Sequence, residues 1–242
     1  MAHHNIFSGG TWGSTMTEIA SSANLPPKGI LIALEGIDGA GKTTTVSNVV
    51  NTLIRRGYTA AKFTNSSGYT PYWQTVMEAK GRMARRGNDI PPDIDQSLHA
   101  FEFLTYCKTA LPELLYKHQF VLSDRYALGK QVLSELDTGR KNSWTEMMLQ
   151  DALESGTIPK PDLSIYLAID PQSARNRIEA RGGSIEKKES LELLTVANSI
   201  FKRRLSTGSL IQLSALTEPE RLAESIADIA LGAYNGRITP KI

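Results

Sequence analysis

Residues 36–43, Gly-Ile-Asp-Gly-Ala-Gly-Lys-Thr, are the first group in the chain whose types and spacing could do chemistry. They follow the pattern G-x-x-x-x-G-K-[ST], in which glycines let several backbone N–H groups converge on one anion. Lys42 can then reach the β- and γ-phosphates of a nucleoside triphosphate, and the Thr43 hydroxyl can bind Mg²⁺. We name residues 36–43 the phosphate loop and predict that it binds a nucleoside triphosphate. The residues expected to contact the donor are Gly36, Asp38, Gly39, Ala40, Gly41, Lys42, Thr43 and Thr44.

A second candidate group is the pair Asp124 and Arg125, which follows the apolar residues 120–123. A carboxylate at the tip of a buried strand is typical of the acid that completes a magnesium site, here together with Thr43. The guanidinium of Arg125 offers a planar fork of donors that suits a phosphate. The alternative is a plain surface ion pair at a strand end. The position after a phosphate loop favours the functional interpretation.

A third group is formed by arginines that precede two glycines, Gly182 and Gly183. Arg177 and Arg181 are four residues apart, so they share one face of a helix. Two guanidiniums beside a glycine hinge suit a lid that closes over transferring phosphates and stabilises their charge. The alternative is a solvated basic helix that pairs with nearby glutamates. The predicted catalytic residues are therefore Lys42, Asp124, Arg125, Arg177 and Arg181.

Strands and helices alternate along the chain and must position these groups. Apolar runs predict strands at residues 29–35, 58–64, 120–123, 162–169 and 209–213. Helical patterns fill the intervals, at residues 44–56, 72–86, 94–117, 127–156, 171–181, 188–205 and 219–233. The alternation predicts an α/β fold, with a parallel sheet covered by helices on both faces. In such a sheet ligands bind at the carboxyl ends of the strands, where all three groups fall.

Length and composition limit the choice of fold and partner. The 242 residues suit one sizeable domain, which we expect at residues 28–242, with a lid around residues 177–190. Residues 1–27 show no sustained periodicity, so we expect a flexible extension there. A net charge of +2 gives no support for a nucleic-acid partner. The single cysteine, Cys107, excludes a disulfide framework and lies on an apolar helix face.

The chain also lacks the patterns of a membrane or exported protein. No apolar run approaches the roughly 18 residues that a membrane span needs, and residues 1–27 contain no apolar signal core. We therefore expect no membrane partner and a cytoplasmic location.

With these groups in place, the chain resembles the thymidylate kinase family over most of residues 29–233. The likeness rests on residues 34–44, 121–126, 161–171 and 177–182. The resemblance implies a P-loop NTPase three-layer sandwich around a five-stranded parallel sheet. It further implies transfer of the γ-phosphoryl group of ATP, with Mg²⁺, to a nucleoside monophosphate, usually by a homodimer. It also suggests that Asp38 binds an acceptor sugar hydroxyl, with a structural loop carboxylate as the alternative, and Glu35 could simply tether the loop.

The acceptor side departs from the family pattern. Asn65 stands where the family has a monophosphate-binding arginine, and Phe103 stands where its long helix usually carries another. Residues 128–133 replace the polar segment that recognises thymine, and an Asp-Arg pair common in bacterial lids is absent at residues 184–186. Loss of two charge-assisted contacts could weaken monophosphate binding about a hundredfold or more. Candidates to compensate, if they are not simply a solvated face, are Arg82, Arg85, Arg86 and Lys130.

Three hypotheses follow for the function of the chain. In the first two, the phosphoryl acceptor is a small molecule. The first is a nucleoside monophosphate kinase acting on thymidylate or a related deoxynucleotide. The second is a kinase of the same fold that acts on an unphosphorylated nucleoside or another metabolite, with Asp124 assisting deprotonation of its hydroxyl. The third is a regulatory protein that binds nucleotide without transferring phosphate, against which the intact Lys42 argues.

Overall fold

The structure is a computed structural model that describes residues 29–64, 73–182, 184–205 and 210–238. The predicted extension at residues 1–27 and the position of Asn65 lie outside these ranges. Within them, five parallel strands form one sheet in the order β2-β3-β1-β4-β5. The strands are β1 (Ile30–Glu35), β2 (Ala60–Thr64), β3 (Phe120–Asp124), β4 (Leu163–Ala168) and β5 (Ile211–Ser214).

Helices connect the strands and cover both faces of the sheet. They are α1 (Lys42–Arg55), α2 (Trp73–Arg85), α3 (Pro92–Thr109), α4 (Leu111–Lys117), α5 (Ala127–Thr138), α6 (Trp144–Glu154), α7 (Pro171–Arg181), α8 (Leu191–Leu205) and α9 (Pro219–Ile238). A short 3₁₀ helix, Lys187–Glu189, lies between α7 and α8. This architecture is the predicted α/β sandwich of three layers.

The side chains of the central strand β1 point alternately into two hydrophobic cores, because successive side chains of a strand point to opposite faces. Ile30, Ile32 and Leu34 pack in one buried cluster with side chains of α1, α7, α8 and α9. Leu31 and Ala33 pack in the other cluster with side chains of α3, α4 and α6. Strand β1 is therefore buried on both faces, as a parallel sheet covered by helices requires.

The register of the strands brings the chemical groups together. Leu34 of β1 pairs with Asp124 of β3, and Glu35 pairs with Tyr166 of β4. Since the strands are parallel, β1 and β3 end side by side at the same edge of the sheet. The phosphate loop leaves β1 at this edge, and Asp124 and Arg125 lie at the end of the neighbouring β3.

One long helix predicted from the sequence is divided in the structure. The helix predicted at residues 94–117 breaks at Ala110, because Pro112, in the first turn of the next helix, cannot donate an intrahelical hydrogen bond. The helical segments predicted at residues 127–156 are two helices, and the first ends at Thr138, before Gly139 in a left-handed conformation (φ 66°). Ser143 then caps α6 by accepting a hydrogen bond from the N–H of Glu146.

Replacement of a buried β3 side chain tests this packing. Leu122 of β3 is fully buried between the sheet and the helices that cover it, whereas Leu216 is 59% exposed. We expect Leu122→Ala to lower the free energy of unfolding by about 2–5 kcal/mol, because it removes apolar contacts and leaves a cavity. Leu216→Ala, the matched control, should change it by less than about 0.5 kcal/mol. Urea denaturation measures both, and equal losses would contradict the described core.

Candidate active site

The phosphate loop is held in shape by backbone conformations that glycine adopts freely. Gly39 has φ 81°, and a Cβ built on it would lie 2.4 Å from the carbonyl oxygen of Ala174 in α7. A side chain at this position is therefore excluded both by the conformation and by the contact. The loop ends where Gly41, also left-handed (φ 85°), precedes the first residue of α1. The N-terminus of α1 thus points into the loop, which favours an anion there.

Lys42 lies within the loop instead of extending into solvent. Its Nζ donates a hydrogen bond to the carbonyl oxygen of Ile37 at 2.8 Å and lies 3.8 Å from Oδ1 of Asp38. Burial, together with the positive charge of Arg125, lowers the pKa of Lys42 to about 8. A phosphate anion in the loop would oppose this shift and hold the ammonium in its charged form.

Thr43 and Asp124 meet at the mouth of the loop. The hydroxyl of Thr43, in the first turn of α1, donates a hydrogen bond to Oδ2 of Asp124 at the end of β3. Hydroxyl and carboxylate oxygens are ligands that Mg²⁺ prefers, and this ion usually binds one or two protein groups together with phosphates and water. Thr43 and Asp124 fit the protein's share of such a set.

Arg125 connects β3 to the phosphate loop. Its backbone is left-handed (φ 67°), which is strained for a residue other than glycine. Its guanidinium donates to the carbonyl oxygen of Gly36 at 2.8 Å and to Oδ1 of Asp38 at 2.5 Å. Burial acts to raise the pKa of Asp38, but the charges of Arg125 and Lys42 outweigh it and lower that pKa to about 2.

Glu35, the last residue of β1, makes its contact away from the loop. Its Oε1 accepts a hydrogen bond from the backbone N–H of Tyr126 at 2.9 Å. Its Oε2 packs against Gly129, where an added Cβ would lie 2.5 Å from this oxygen. Burial raises the pKa of Glu35 to about 7, against the opposing charge of Arg125. The interpretation of Glu35 as a tether of the phosphate loop is therefore refined. Its hydrogen bond joins it to Tyr126, the residue that precedes α5.

The two arginines of α7 differ in their surroundings. Arg177 donates to the carbonyl oxygen of Ala215 at 2.9 Å, and its Nη1 lies 3.8 Å from where a Cβ on Gly41 would stand. Arg181 instead forms an ion pair with the buried carboxylate of Glu189 at 2.8 Å. The alternative of a basic helix that pairs with glutamates fits Arg175, which pairs with Glu179 at 2.6 Å, and Arg181, whose side chain is 62% exposed. Arg177 is exposed too, but its guanidinium bonds a carbonyl oxygen instead of a glutamate.

A cavity of about 770 Å³ brings most of the predicted residues together. Lining residues predicted from the sequence are Asp38, Gly39, Ala40, Gly41, Lys42, Thr43, Thr44, Asp124, Arg125, Arg177 and Arg181. Residues that the sequence analysis missed also line it, namely Thr45, Ile178, Ala215, Thr217, Pro219 and Leu222. The last four follow β5, so the rule that ligands bind at the carboxyl ends of parallel strands could have indicated them.

A phosphate loop at the carboxyl edge of a five-stranded parallel sheet, with a cavity that extends toward a basic helix, defines a P-loop NTPase fold. Comparison with known proteins agrees with this class. The family model described as thymidylate kinase matches residues 34–226. The chain belongs to the thymidylate kinase family and is therefore a nucleotide kinase.

Individual relatives resemble the chain over more than four fifths of its length. A probable thymidylate kinase of Pyrobaculum aerophilum is 29% identical over 198 residues, which cover 82% of this chain and 94% of that protein. A probable thymidylate kinase of Staphylothermus marinus is 25% identical, with 84% and 95% covered. A thymidylate kinase of Baumannia cicadellinicola is 26% identical, with 84% of this chain and 93% of that protein covered.

Among the described residues, none of the helices combines the length and the hydropathy that a membrane span requires.

The pH dependence of stability tests the buried carboxyl of Glu35. Because the folded-state pKa is about 7 and the ordinary value is 4.5, the folded protein keeps a proton that the unfolded chain releases as pH rises. The stabilisation is complete below about pH 4.5 and is lost as pH approaches 7, a decrease of at most about 3 kcal/mol. Urea denaturation of wild type and Glu35→Gln at several pH values should show this decrease only in the wild type. Glu113→Gln, at an exposed ion pair on α4, should keep it, and parallel curves for wild type and Glu35→Gln would contradict the assignment.

Proposed function

We propose that this protein transfers the γ-phosphoryl group of ATP, with Mg²⁺, to thymidylate or a related deoxynucleoside monophosphate. The observation that carries the proposal is the meeting of Lys42, the Thr43–Asp124 pair and Arg177 around one cavity. These are a phosphate-binding amine, two oxygen donors suited to Mg²⁺ and a guanidinium beside the phosphate loop. Membership of the thymidylate kinase family supports the same reaction.

The donor nucleotide would occupy the cavity with its phosphates in the loop. The backbone N–H groups of the loop, Lys42 and the N-terminus of α1 would bind the β- and γ-phosphates. Thr43 and Asp124 would hold Mg²⁺, directly or through water, and the ion would neutralise charge on these phosphates. The far end of the cavity, lined by Ala215, Thr217, Pro219 and Leu222, would take the donor base.

Transfer requires positive charge around the moving phosphoryl group. Arg177 already lies beside the loop, so it could contact that group after a small displacement. Arg181 would first have to exchange Glu189 for the phosphate. In-line phosphoryl transfer depends on positioning of the two substrates and on stabilisation of the charge on the moving group. These two arginines would stabilise that charge.

Asp38 has the charge needed for a contact with the acceptor. Its pKa of about 2 keeps it ionised at neutral pH, so it can accept a hydrogen bond from a sugar hydroxyl. Arg125 holds this carboxylate in place through Oδ1. We propose this role from the family resemblance.

We also propose a homodimeric assembly, a cytoplasmic location and a lid at residues 177–190. We also retain the proposal that residues 28–242 form one kinase domain and that residues 1–27 are an extension of it.

A different small acceptor is the second candidate. Phe103, which stands where the family usually has an arginine, is buried against Tyr126 and carries no charge for a phosphate. In this alternative Asp124 would face a hydroxyl of an unphosphorylated nucleoside and assist its deprotonation. A regulatory protein without transfer activity is less well supported, because the donor residues are intact.

An acceptor screen tests the proposed reaction. We expect ATP- and Mg²⁺-dependent ADP release with thymidylate or another deoxynucleoside monophosphate, and none above background with the corresponding nucleosides. Lys42→Met should lower kcat at least about a hundredfold, because it removes a contact made to the transferring phosphates. A coupled ADP assay measures both. Turnover of nucleosides alone would favour the second candidate, and the absence of any acceptor-dependent turnover would favour the third hypothesis.

The two arginines of α7 can be tested separately. We expect Arg177→Met and Arg181→Met each to lower kcat by about 10- to 1000-fold while KM for ATP changes less, because their contacts form mainly during transfer. Arg140→Met removes an exposed ion pair with Asp93 and serves as the control. Steady-state kinetics with the best acceptor gives both constants. If Arg181→Met matched the control, its contact with Glu189 would be structural only.

A further inference from the structure

A second cavity lies at the edge of the sheet opposite to the phosphate loop. Its volume is about 650 Å³, within the range of roughly 300–1,000 Å³ that is typical of small-molecule sites. The N–H of Gly29, just before β1, donates to the carbonyl oxygen of Leu115 in the cavity wall at 2.8 Å. Residues 155–160, which also line the cavity, lead into β4 from its amino end. Among the described residues, none lines both this cavity and the active site.

The inner wall of the second cavity is apolar. Cys107 of α3 and Ile158 are fully buried, and Leu115 of α4 is nearly so. Pro112 of α4 and Leu153 of α6 add further carbon surface. A wall of this kind favours the apolar body of a ligand, because contact removes the surfaces of both from water.

Tyr126 holds one side of this wall in place. Its backbone N–H donates to Glu35 at the active site, and its hydroxyl donates to the carbonyl oxygen of Pro159 in the cavity wall at 2.9 Å. Between these two ends its ring packs against Phe63 and Phe103. The wall is therefore formed before any ligand binds, which reduces the entropy that binding would cost.

The rim of the second cavity carries more positive than negative charge. Lys108 of α3 and Lys160, shortly before β4, are both exposed there and come from different segments of the chain. The acidic residue among the described lining residues is Glu154, whose Oε1 accepts a hydrogen bond from Nε2 of Gln150 at 2.6 Å. An anionic group at the rim thus meets two ammonium groups and one carboxylate, a balance that favours its binding.

We propose that the second cavity is a binding site for a small organic anion with an apolar body, such as an aromatic sulfonate or carboxylate. The apolar body contacts the wall formed by Leu115, Leu153 and Ile158. The anionic group lies at the rim with Lys108 and Lys160. This site is separate from the donor and acceptor sites, so its occupation does not depend on the identity of the phosphoryl acceptor.

Fluorescence titration with anilinonaphthalene sulfonate, an apolar dye with one sulfonate group, tests the site while saturating ATP fills the other cavity. We expect the double variant Lys108→Met, Lys160→Met to bind this dye about 2- to 30-fold more weakly, because two exposed ion pairs are lost. The uncharged analogue phenylnaphthylamine should bind the double variant at least as well as the wild type. Lys202→Met, exposed on α8, is the matched control and should bind the dye as the wild type does. Equal weakening of both dyes would contradict the role of the rim charges.

A bulky side chain at the rim tests the location of the dye. Thr157 is an exposed lining residue, so Thr157→Trp should fill the cavity without disturbing the core and weaken dye binding at least about tenfold. Thr195→Trp, at an exposed position of α8, is the matched control and should bind the dye normally. If the two tryptophan variants bind the dye equally well, it lies elsewhere and the proposal is wrong.

Cys107 gives a readout that does not depend on dye fluorescence or on a folded variant. It is the single cysteine of the chain, and burial raises the pKa of its thiol, so its reaction with a thiol reagent requires local opening. Dye at about ten times its Kd should slow the labelling of Cys107 about tenfold, because the opened wall does not bind the dye. An unchanged labelling rate would overturn the proposal. A wild type without kinase activity that still shows this protection would contradict only the proposed function.

Discussion

The site depends on the left-handed backbone of Arg125. This conformation turns the chain sharply at the end of β3, so that consecutive residues face different parts of the site. Asp124 meets Thr43, the Arg125 guanidinium meets the phosphate loop, and the N–H of Tyr126 meets Glu35. Two hydrogen bonds support the strained conformation. The N–H of Arg125 donates to the carbonyl oxygen of Leu34 in β1, and the Ser123 hydroxyl donates to the carbonyl oxygen of Arg125.

The same turn explains why two neighbouring carboxyl groups behave oppositely. Asp38 is in direct contact with Arg125 and near Lys42, so its pKa falls to about 2. Glu35 is more deeply buried and its hydrogen bond comes from a neutral backbone N–H, so burial dominates and its pKa rises to about 7. Direct charge contact therefore decides the protonation state at one position, and desolvation decides it at the other. The phosphate loop consequently has one fixed negative charge next to two cations.

The parts of this structure that local signals specify were predicted from the sequence. Helix α7 covers residues 171–181 as predicted, because Pro171 begins it and the left-handed Gly182 ends it. The same holds for the order of strands and helices and for the phosphate loop. Pro112 is a visible local signal for the break at Ala110, but the prediction of one helix at residues 94–117 did not use it.

Contacts between distant segments could not be predicted in this way. Glu35 and Tyr126 are 91 positions apart, and their hydrogen bond depends on the register between β1 and β3. The approach of Lys130 to Phe103 depends on how α3 and α5 pack, which no local pattern specifies. The pairing of Arg181 with Glu189 depends on the 3₁₀ helix between α7 and α8. The family resemblance indicated these segments without indicating their partners.

The contact between Glu35 and Gly129 limits how the acceptor side of this enzyme can diversify. Even a methyl group at position 129 would collide with the Glu35 carboxylate, so that position can change only together with Glu35 or with the path of α5. Positions 35 and 129 are 94 residues apart in the sequence, yet this contact requires that they vary together.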